Sequence, residues 1–332
     1  MALLFEKTQE LIRDNDDFLI TTHVFPDGDG IGSELALARF LAELGKKARI
    51  LNASPTPRNY RFLDHDRQIM LWDPAGTPAQ TEPAEVIFIV DICRWERLGP
   101  MNEVVRRHPA TKICIDHHPV NGDFADINLI CEDACASGEL LLRLITAMGA
   151  DLTPRIAEPL YASILADTGV FRFANTTAGA HAAAARLLAT GINSAAIYEQ
   201  IYERCSPARL KLMGLAMSRI EYLHDGRLAW STITSDMLQE AGVAAEELEG
   251  FVDYGRAIDR VQASLLFIEL DEQRVKVSLR SKGKVDVNRF ASKFGGGGHQ
   301  HAAGILLRQS MAGAVQTVLQ ESSSLFNGFC EC

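Results

Sequence analysis

Short runs of apolar residues punctuate the first half of the chain. They fall at residues 18–20, 48–52, 85–90 (EVIFIV) and 112–115 (KICI). Runs this short and this uniformly apolar fit strands covered on both faces, as in a parallel sheet. Helical patterns lie between them. An amphipathic opening over residues 1–16 places Leu3, Leu4, Leu11 and Ile12 on one side. A second helix is predicted over residues 34–44, with Gly45 as its C-terminal cap, and another near 101–107. Residues 54–83 are rich in proline and read as loop with minor elements. Alternating strands and helices predict an α/β domain with a parallel sheet and helices on both faces.

From Ala136 onward the pattern is helical, over 138–148, 154–165, 178–190, 195–202 and 206–219. It then changes character. Residues 228–233, 263–270 and 275–279 read as strands, and 246–251, 285–294 and 311–322 as helices. This predicts a second, smaller, mixed α/β domain. The expected division is 1–191 for the first domain, 192–219 for a helical connector and 220–332 for the second.

Composition agrees with two domains. The chain has 332 residues, 47% of them hydrophobic and 23% charged, which is enough apolar material for real cores. The net charge of −10 disfavours a protein that coats long nucleic acid, since that needs clustered Lys and Arg. A short nucleotide held by a few arginines and a metal remains compatible with it. The seven cysteines (93, 114, 131, 135, 205, 330 and 332) form no paired framework and lack zinc-site spacing. Reduced thiols and the lack of a secretory leader point to a cytoplasmic protein. No run approaches ~18 uninterrupted apolar residues, so no membrane span is expected.

The chemistry begins where the apolar runs end. The run at 18–20 empties into TTHVFPDGDGIGS, with His23, Asp27 and Asp29 among three glycines expected to turn the backbone tightly. The run at 85–90 ends on Asp91, and 112–115 ends on Asp116, His117 and His118. Asp167 follows a fourth apolar stretch. In a parallel sheet such termini share one edge, where ligands bind. Alone, each piece has a plainer reading: a solvated turn, a helix cap, a packed histidine. Together they put carboxylates and imidazoles in one place. Left bare, that crowd would repel itself and raise its own pKa values. Divalent cations remove the problem. Carboxylate and imidazole without thiolate suit Mn²⁺, Co²⁺, Fe²⁺ or Mg²⁺ better than Zn²⁺ or Ca²⁺. Two ions roughly 3.5–4 Å apart, bridged by a carboxylate such as Asp91, are suited to in-line displacement at phosphorus.

A second constellation lies near the end. The glycine run 295–298 leads into His299, and Arg280 and Lys282 sit at a strand end. Backbone amides of Gly296, Gly297 and Gly298 can cradle an anion, and arginine grips phosphate in bidentate fashion.

These residues resemble the DHH phosphoesterases. HVFPDGDGIGS is similar to motif I, Asp91 with Arg97-Leu98-Gly99 to motif II, Asp116-His117-His118 to the signature that names the family, and Ala166-Asp167-Thr168-Gly169-Val170-Phe171 to motif IV. Residues 295–299 with Ala302-Ala303-Gly304 resemble the glycine-rich motif of the DHH-associated C-terminal domain. Length and layout are similar to the nanoRNase (oligoribonuclease, NrnA-like) branch. That resemblance implies a metal-dependent hydrolase of short RNA, of dinucleotides such as pApA or pGpG, and of 3′-phosphoadenosine 5′-phosphate. It implies one metal on His23, Asp27 and Asp91, and another on Asp29, Asp91, His117 and Asp167. His118 would meet the scissile phosphate and Asp116 would orient its neighbours. Arg280, Lys282, Gly296, Gly297, Gly298 and His299 would hold the substrate from a second domain across a cleft. Arg172, Phe173 and Asn175 are further candidates for nucleotide contact. The alternatives are an inorganic pyrophosphatase and a nucleotide sensor without turnover. A homodimer stays open, since no sequence feature requires one.

Overall fold

The computed structural model describes residues 2–75, 83–119, 124–248 and 250–326. Cys330, Cys332, part of the 54–83 segment and residue 249 of the expected 246–251 helix lie outside them. The chain divides into two compact units, 1–204 and 205–332, a boundary inside the span expected as connector.

The first unit runs α1 (Ala2–Asp14), β1 (Asp17–Thr21), α2 (Gly28–Glu43), β2 (Lys47–Asn52), β3 (Ile69–Leu71), β4 (Val86–Val90), α3 (Asn102–Arg107), β5 (Thr111–Asp116) and β6 (Ile127–Ile130). Four helices follow: α4 (Ser137–Ala147), α5 (Pro154–Asp167), α6 (Ala178–Leu188) and α7 (Ser194–Tyr202). The sheet is parallel throughout, in the order β3-β2-β1-β4-β5-β6. Alternation along each strand feeds two cores. Phe18, Ile20, Phe88, Val90, Ile113 and Ile115 pack with α2, α4 and α5 on one face. Leu19, Ile87, Ile89 and Cys114 meet Leu98, Met101 and Val105 on the other. Both faces are covered, as predicted, which is why these strands read as continuous apolar runs.

Helix α2 is buried from Gly28 to Leu41. It starts inside the DGDG segment, six residues before the predicted start, with Asp27 as N-cap accepting from the amides of Asp29 and Gly30. The glycines there are not needed for a turn. A methyl group at Gly28 would stand 2.5 Å from Ala166 Cβ, and one at Gly32 would stand 2.4 Å from the Pro159 carbonyl oxygen. They allow α2 to lie directly against α5. Gly32→Ala is expected to cost about 2 kcal/mol or more and to lower the melting temperature by ~5 °C. An unchanged thermal midpoint would contradict that contact.

The second unit contains α8 (Pro207–Ser218), β7 (Glu221–Leu223), β8 (Leu228–Ile233), α9 (Ser235–Ala241), α10 (Phe251–Ala257), β9 (Ala263–Asp271), β10 (Arg274–Ser281), α11 (Val287–Ser292), β11 (Gly297–His299), β12 (Ala302–Leu307) and α12 (Met311–Glu321). Its mixed sheet has the order β11-β12-β10-β9-β8-β7, with β8 and β9 parallel and the other pairs antiparallel. Helices α11 and α12 cover one face, and α8, α9 and α10 the other. The helix expected at 246–251 is split into a 3-10 turn over Ala245–Leu248 and an α-helix further on. Gly250 takes a left-handed φ of 83° and the helix begins at Phe251, which buries its ring. Among the described residues, no helix is long and apolar enough to cross a membrane.

Candidate metal centre

In a sheet ordered 3-2-1-4-5-6, chain direction around the sheet reverses between β1 and β4. The crevice at such a switch point, outside the carboxyl ends of the strands, is where ligands bind in this architecture. His23 lies two residues beyond β1, Asp91 directly follows β4, and Asp116 closes β5 ahead of His117 and His118. The other two acids come from helices. Asp29 is in the first turn of α2, and Asp167 is the last residue of α5. The expectation that all the pieces sit at strand ends is therefore corrected for these two. An apolar stretch such as Ile164-Leu165-Ala166 reads alike as helix or strand.

The side chains converge in two groups that share Asp91. His23 Nε2 is 3.3 Å from Asp91 Oδ2 and 3.9 Å from Asp27 Oδ1. His117 Nε2 is 3.4 Å from Asp167 Oδ2, 3.6 Å from Asp29 Oδ2 and 3.8 Å from Asp91 Oδ1. One oxygen of Asp91 thus faces each histidine. His23, Asp29, Asp91, Asp116 and His117 are buried. Asp91 holds a left-handed backbone, φ 61°, with its amide donating to the Ile115 carbonyl at 2.9 Å. Strain of this kind persists where surrounding structure enforces it.

The hydrogen bonds behind the cluster fix the ring orientations. His23 Nδ1 lies 2.9 Å from the Val24 carbonyl, and His117 Nδ1 lies 3.1 Å from that of Ala134. A carbonyl only accepts, so each Nδ1 carries a proton and each ring turns its Nε2 toward carboxylates. The Nε2 separations are longer than ordinary hydrogen bonds. Metal-ligating imidazoles are held in this way, one ring nitrogen bonded to a carbonyl so that the other is aimed at the ion. The group His23, Asp27, Asp91 and the group Asp29, His117, Asp167 each have donor atoms close enough to share one ion. The residues present fit divalent cations.

Electrostatics agree. Burial, then Asp29, Asp27, Asp116 and Asp167, push the Asp91 carboxyl well above its usual range. Burial raises Asp167 to about 7, with His117 opposing and Asp29 and Asp27 adding. Burial, then Arg97, lowers His23 to about 4. Asp27, which burial alone would raise, is brought below its usual range by His23, the Gly30 amide and Arg97. Asp116 is likewise opposed by burial but held at about 2 by His118. Its Oδ1 accepts from the amides of His117 and His118 and from His118 Nδ1, the last at 2.7 Å.

Several residues around Asp29 escaped the sequence reading. Its Oδ1 accepts from Ser33 Oγ at 3.1 Å, Ser163 Oγ at 2.5 Å and the Gly138 amide at 3.1 Å, and Oδ2 accepts from the Ser137 amide at 2.7 Å. Ser33 is four residues after Asp29 and Ser163 four before Asp167, so same-face helical spacing was the available signal. Asn175, expected near nucleotide, instead donates Nδ2 to the carbonyl and Oδ2 of Asp167. Arg172 Nε donates to the Gly169 carbonyl. Ser163→Ala is expected to weaken divalent-cation binding by about tenfold or more. Calorimetric titration with Mn²⁺ reads this directly, and unchanged affinity would contradict it.

The remaining candidates are in the second unit. Arg280, on β10, pairs with Ala302 of β12, which pairs with His299 of β11. Directly paired residues point to one face, so Arg280 and His299 share a row. Arg280 Nη1 donates to the Leu279 carbonyl and Lys282 Nζ to that of Ile258. Gly296 gives its amide to the Ala291 carbonyl, and Gly297 and Gly298 belong to the β11–β12 pair. A methyl group at Gly298 would stand 2.3 Å from the Ala302 carbonyl oxygen, so that pairing needs glycine there. His301 is tied to Ser281 Oγ at 2.9 Å.

Comparison with known proteins decides the family. The model of the DHH family N-terminal domain matches residues 17–164, and that of the DHHA1 domain matches 226–328. The Thermus thermophilus bifunctional oligoribonuclease and PAP phosphatase NrnA is 36% identical over 293 residues, 87% of this chain and 83% of the relative. The chain belongs to the DHH family. Another DHH relative, the Bacillus subtilis bifunctional oligoribonuclease and PAP phosphatase NrnA, is 29% identical over 294 residues, 87% of this chain and 88% of the relative. The crystal structure of an exopolyphosphatase-related protein from Bacteroides fragilis superposes on this DHH chain with a TM-score of 0.90 at 30% identity, covering 98% of each.

Proposed function

We propose that this DHH protein is a divalent-metal-dependent phosphodiesterase. It hydrolyses short oligoribonucleotides and dinucleotides such as pApA or pGpG to mononucleotides, and dephosphorylates 3′-phosphoadenosine 5′-phosphate. The observation that carries this reading is Asp91, whose two oxygens face His23 and His117 and so join two ligand groups into one centre. The names of the Thermus and Bacillus relatives supply the substrate class.

His23, Asp27 and Asp91 would hold one cation, and Asp29, Asp91, His117 and Asp167 a second. The oxygen-and-imidazole donor set favours Mn²⁺ among the candidates. Cations bound there supply Lewis acidity, lowering the pKa of a water and drawing charge from phosphoryl oxygens. The chain's own residues do the rest. Asp116, ionised across the neutral range, accepts the Nδ1 proton of His118 and so directs the far edge of that ring to the reacting phosphate. His118 acts there as hydrogen-bond donor and proton source for the leaving oxygen. The serine hydroxyls and α4 amides around Asp29 hold it against rotation. Arg280, Lys282, residues 296–298 and His299 bind the substrate's phosphates. A net charge of −10 suits a substrate of a few nucleotides better than long nucleic acid.

The test is a length series. With Mn²⁺, pApA and a five-residue RNA should yield mononucleotides, while a structured RNA of some tens of residues should survive. Equal rates at all lengths would overturn the short-substrate assignment.

A further inference from the structure

Arg97 lies outside every ligand set above, yet its backbone is bonded to the loop that carries His23. It sits in the 3-10 helix Trp95–Met101 that follows β4. The Val24 amide donates to the Arg97 carbonyl at 2.8 Å, so this turn is clamped to the residue after His23. Leu98 and Met101 anchor it in the core, both fully buried. Gly99 takes a left-handed φ of 56°, and a methyl group there would stand 2.4 Å from Val24 Cγ1. Position 97 is therefore fixed relative to the His23 loop.

The side chain itself is exposed, and among the described residues no carboxylate lies within 4 Å of its guanidinium. Its backbone does the structural work while its cation is left for another use. Its backbone is bonded to Val24, the residue next to His23, so the exposed side chain emerges beside the loop that carries the His23, Asp27 and Asp91 group. A phosphoryl group entering the centre brings negative charge, which spreads over its equatorial oxygens during displacement. Arginine's planar fork matches two such oxygens, and lysine's point charge does not.

From this geometry, and resting on the proposed function, we propose that Arg97 binds a phosphate of the substrate at the mouth of the metal centre. The contact strengthens as charge develops on phosphorus.

Arg97→Ala and Arg97→Lys test it on pApA and on ApA, which lacks the terminal phosphate. The expected loss in kcat/KM for alanine is about 10²-fold or more, with lysine recovering only part. Added guanidinium should partly rescue the alanine variant and ammonium should not, a response that a purely structural residue would not give. Loss on both dinucleotides places the contact on the scissile phosphate, and loss on pApA alone places it on the terminal one.

Equilibrium binding of a phosphorothioate-linked dinucleotide, which needs no turnover, supplies the independent reading. Wild type should bind about tenfold or more tightly than Arg97→Ala. Equal binding, with rates within threefold of wild type and no guanidinium response, would overturn the assignment. An inactive wild type that still binds more tightly than the variant would overturn the proposed function and leave Arg97 standing.

Discussion

Replacing Asp91 abolishes hydrolysis: kcat/KM on pApA is expected to fall by at least about 10⁴-fold. Of the carboxylates in the centre, Asp91 alone faces both histidines, through different oxygens. Its loss removes a donor from both ligand groups at once, so the effect should exceed that of Asp27 or Asp167. The form of the substitution matters. Asp91 sits at φ 61°, where alanine is strained and asparagine is tolerated. Asp91→Asn keeps the backbone and shape and removes only charge. In metal-free protein it should melt at least as high as wild type, because the buried carboxyl is already disfavoured by burial and by Asp29. Steady-state rates and thermal scans in chelator check both halves. Wild-type turnover in either variant would exclude Asp91 as the bridge.

The second large effect is chelation, and it carries a pH signature. Metal-free protein is expected to lose about 5 °C of melting temperature between pH 6 and 8, and saturating Mn²⁺ to remove most of that loss. Asp167 titrates at about 7 in the fold against an ordinary 3.8. Its folded form therefore binds more protons than its unfolded form between those values, and stability falls as pH rises through them. Asp91 acts in the same direction. So does His117, which burial would lower but Asp167, Asp29 and Asp116 raise, and which holds its proton above 6.5. His23 opposes them, since at about 4 in the fold it gains stability as pH rises from 4 to 6.5. That gain is complete before pH 7, leaving the others to dominate. Glu34, raised by burial against the opposing hydrogen bond from Asn52, adds a falling contribution that metal should not reverse. A melting temperature that rises from pH 6 to 8 in chelator would contradict this balance.

How much of this was legible in the chain follows from how local each cause is. β1, β4 and β5 were visible as continuous apolar runs because both sheet faces are covered, and their ends placed His23, Asp91, Asp116, His117 and His118. The start of α2 was hidden, because Asp-Gly-Asp-Gly is locally a turn. It is helical only because Asp27 caps it and because Gly28 and Gly32 meet Ala166 and Pro159, more than a hundred residues away. The serines around Asp29 were obscured for the same reason, since Ser163 Oγ reaches Asp29 across 134 residues of chain. Strand β6 was missed because it is a four-residue edge in which only Leu129 is wholly buried. The glycine run at 295–298 showed as a motif, but its pairing with β12 depends on Ala302 and Gly304 folding back beside it.

The most direct measurement is reconstitution of chelator-stripped protein by stepwise Mn²⁺, with bound metal and mononucleotide release from pApA followed together. Without metal no mononucleotide should form, and turnover should climb to a plateau at two equivalents per chain. Undiminished hydrolysis in chelator, or intact pApA at saturating Mn²⁺, would contradict the account.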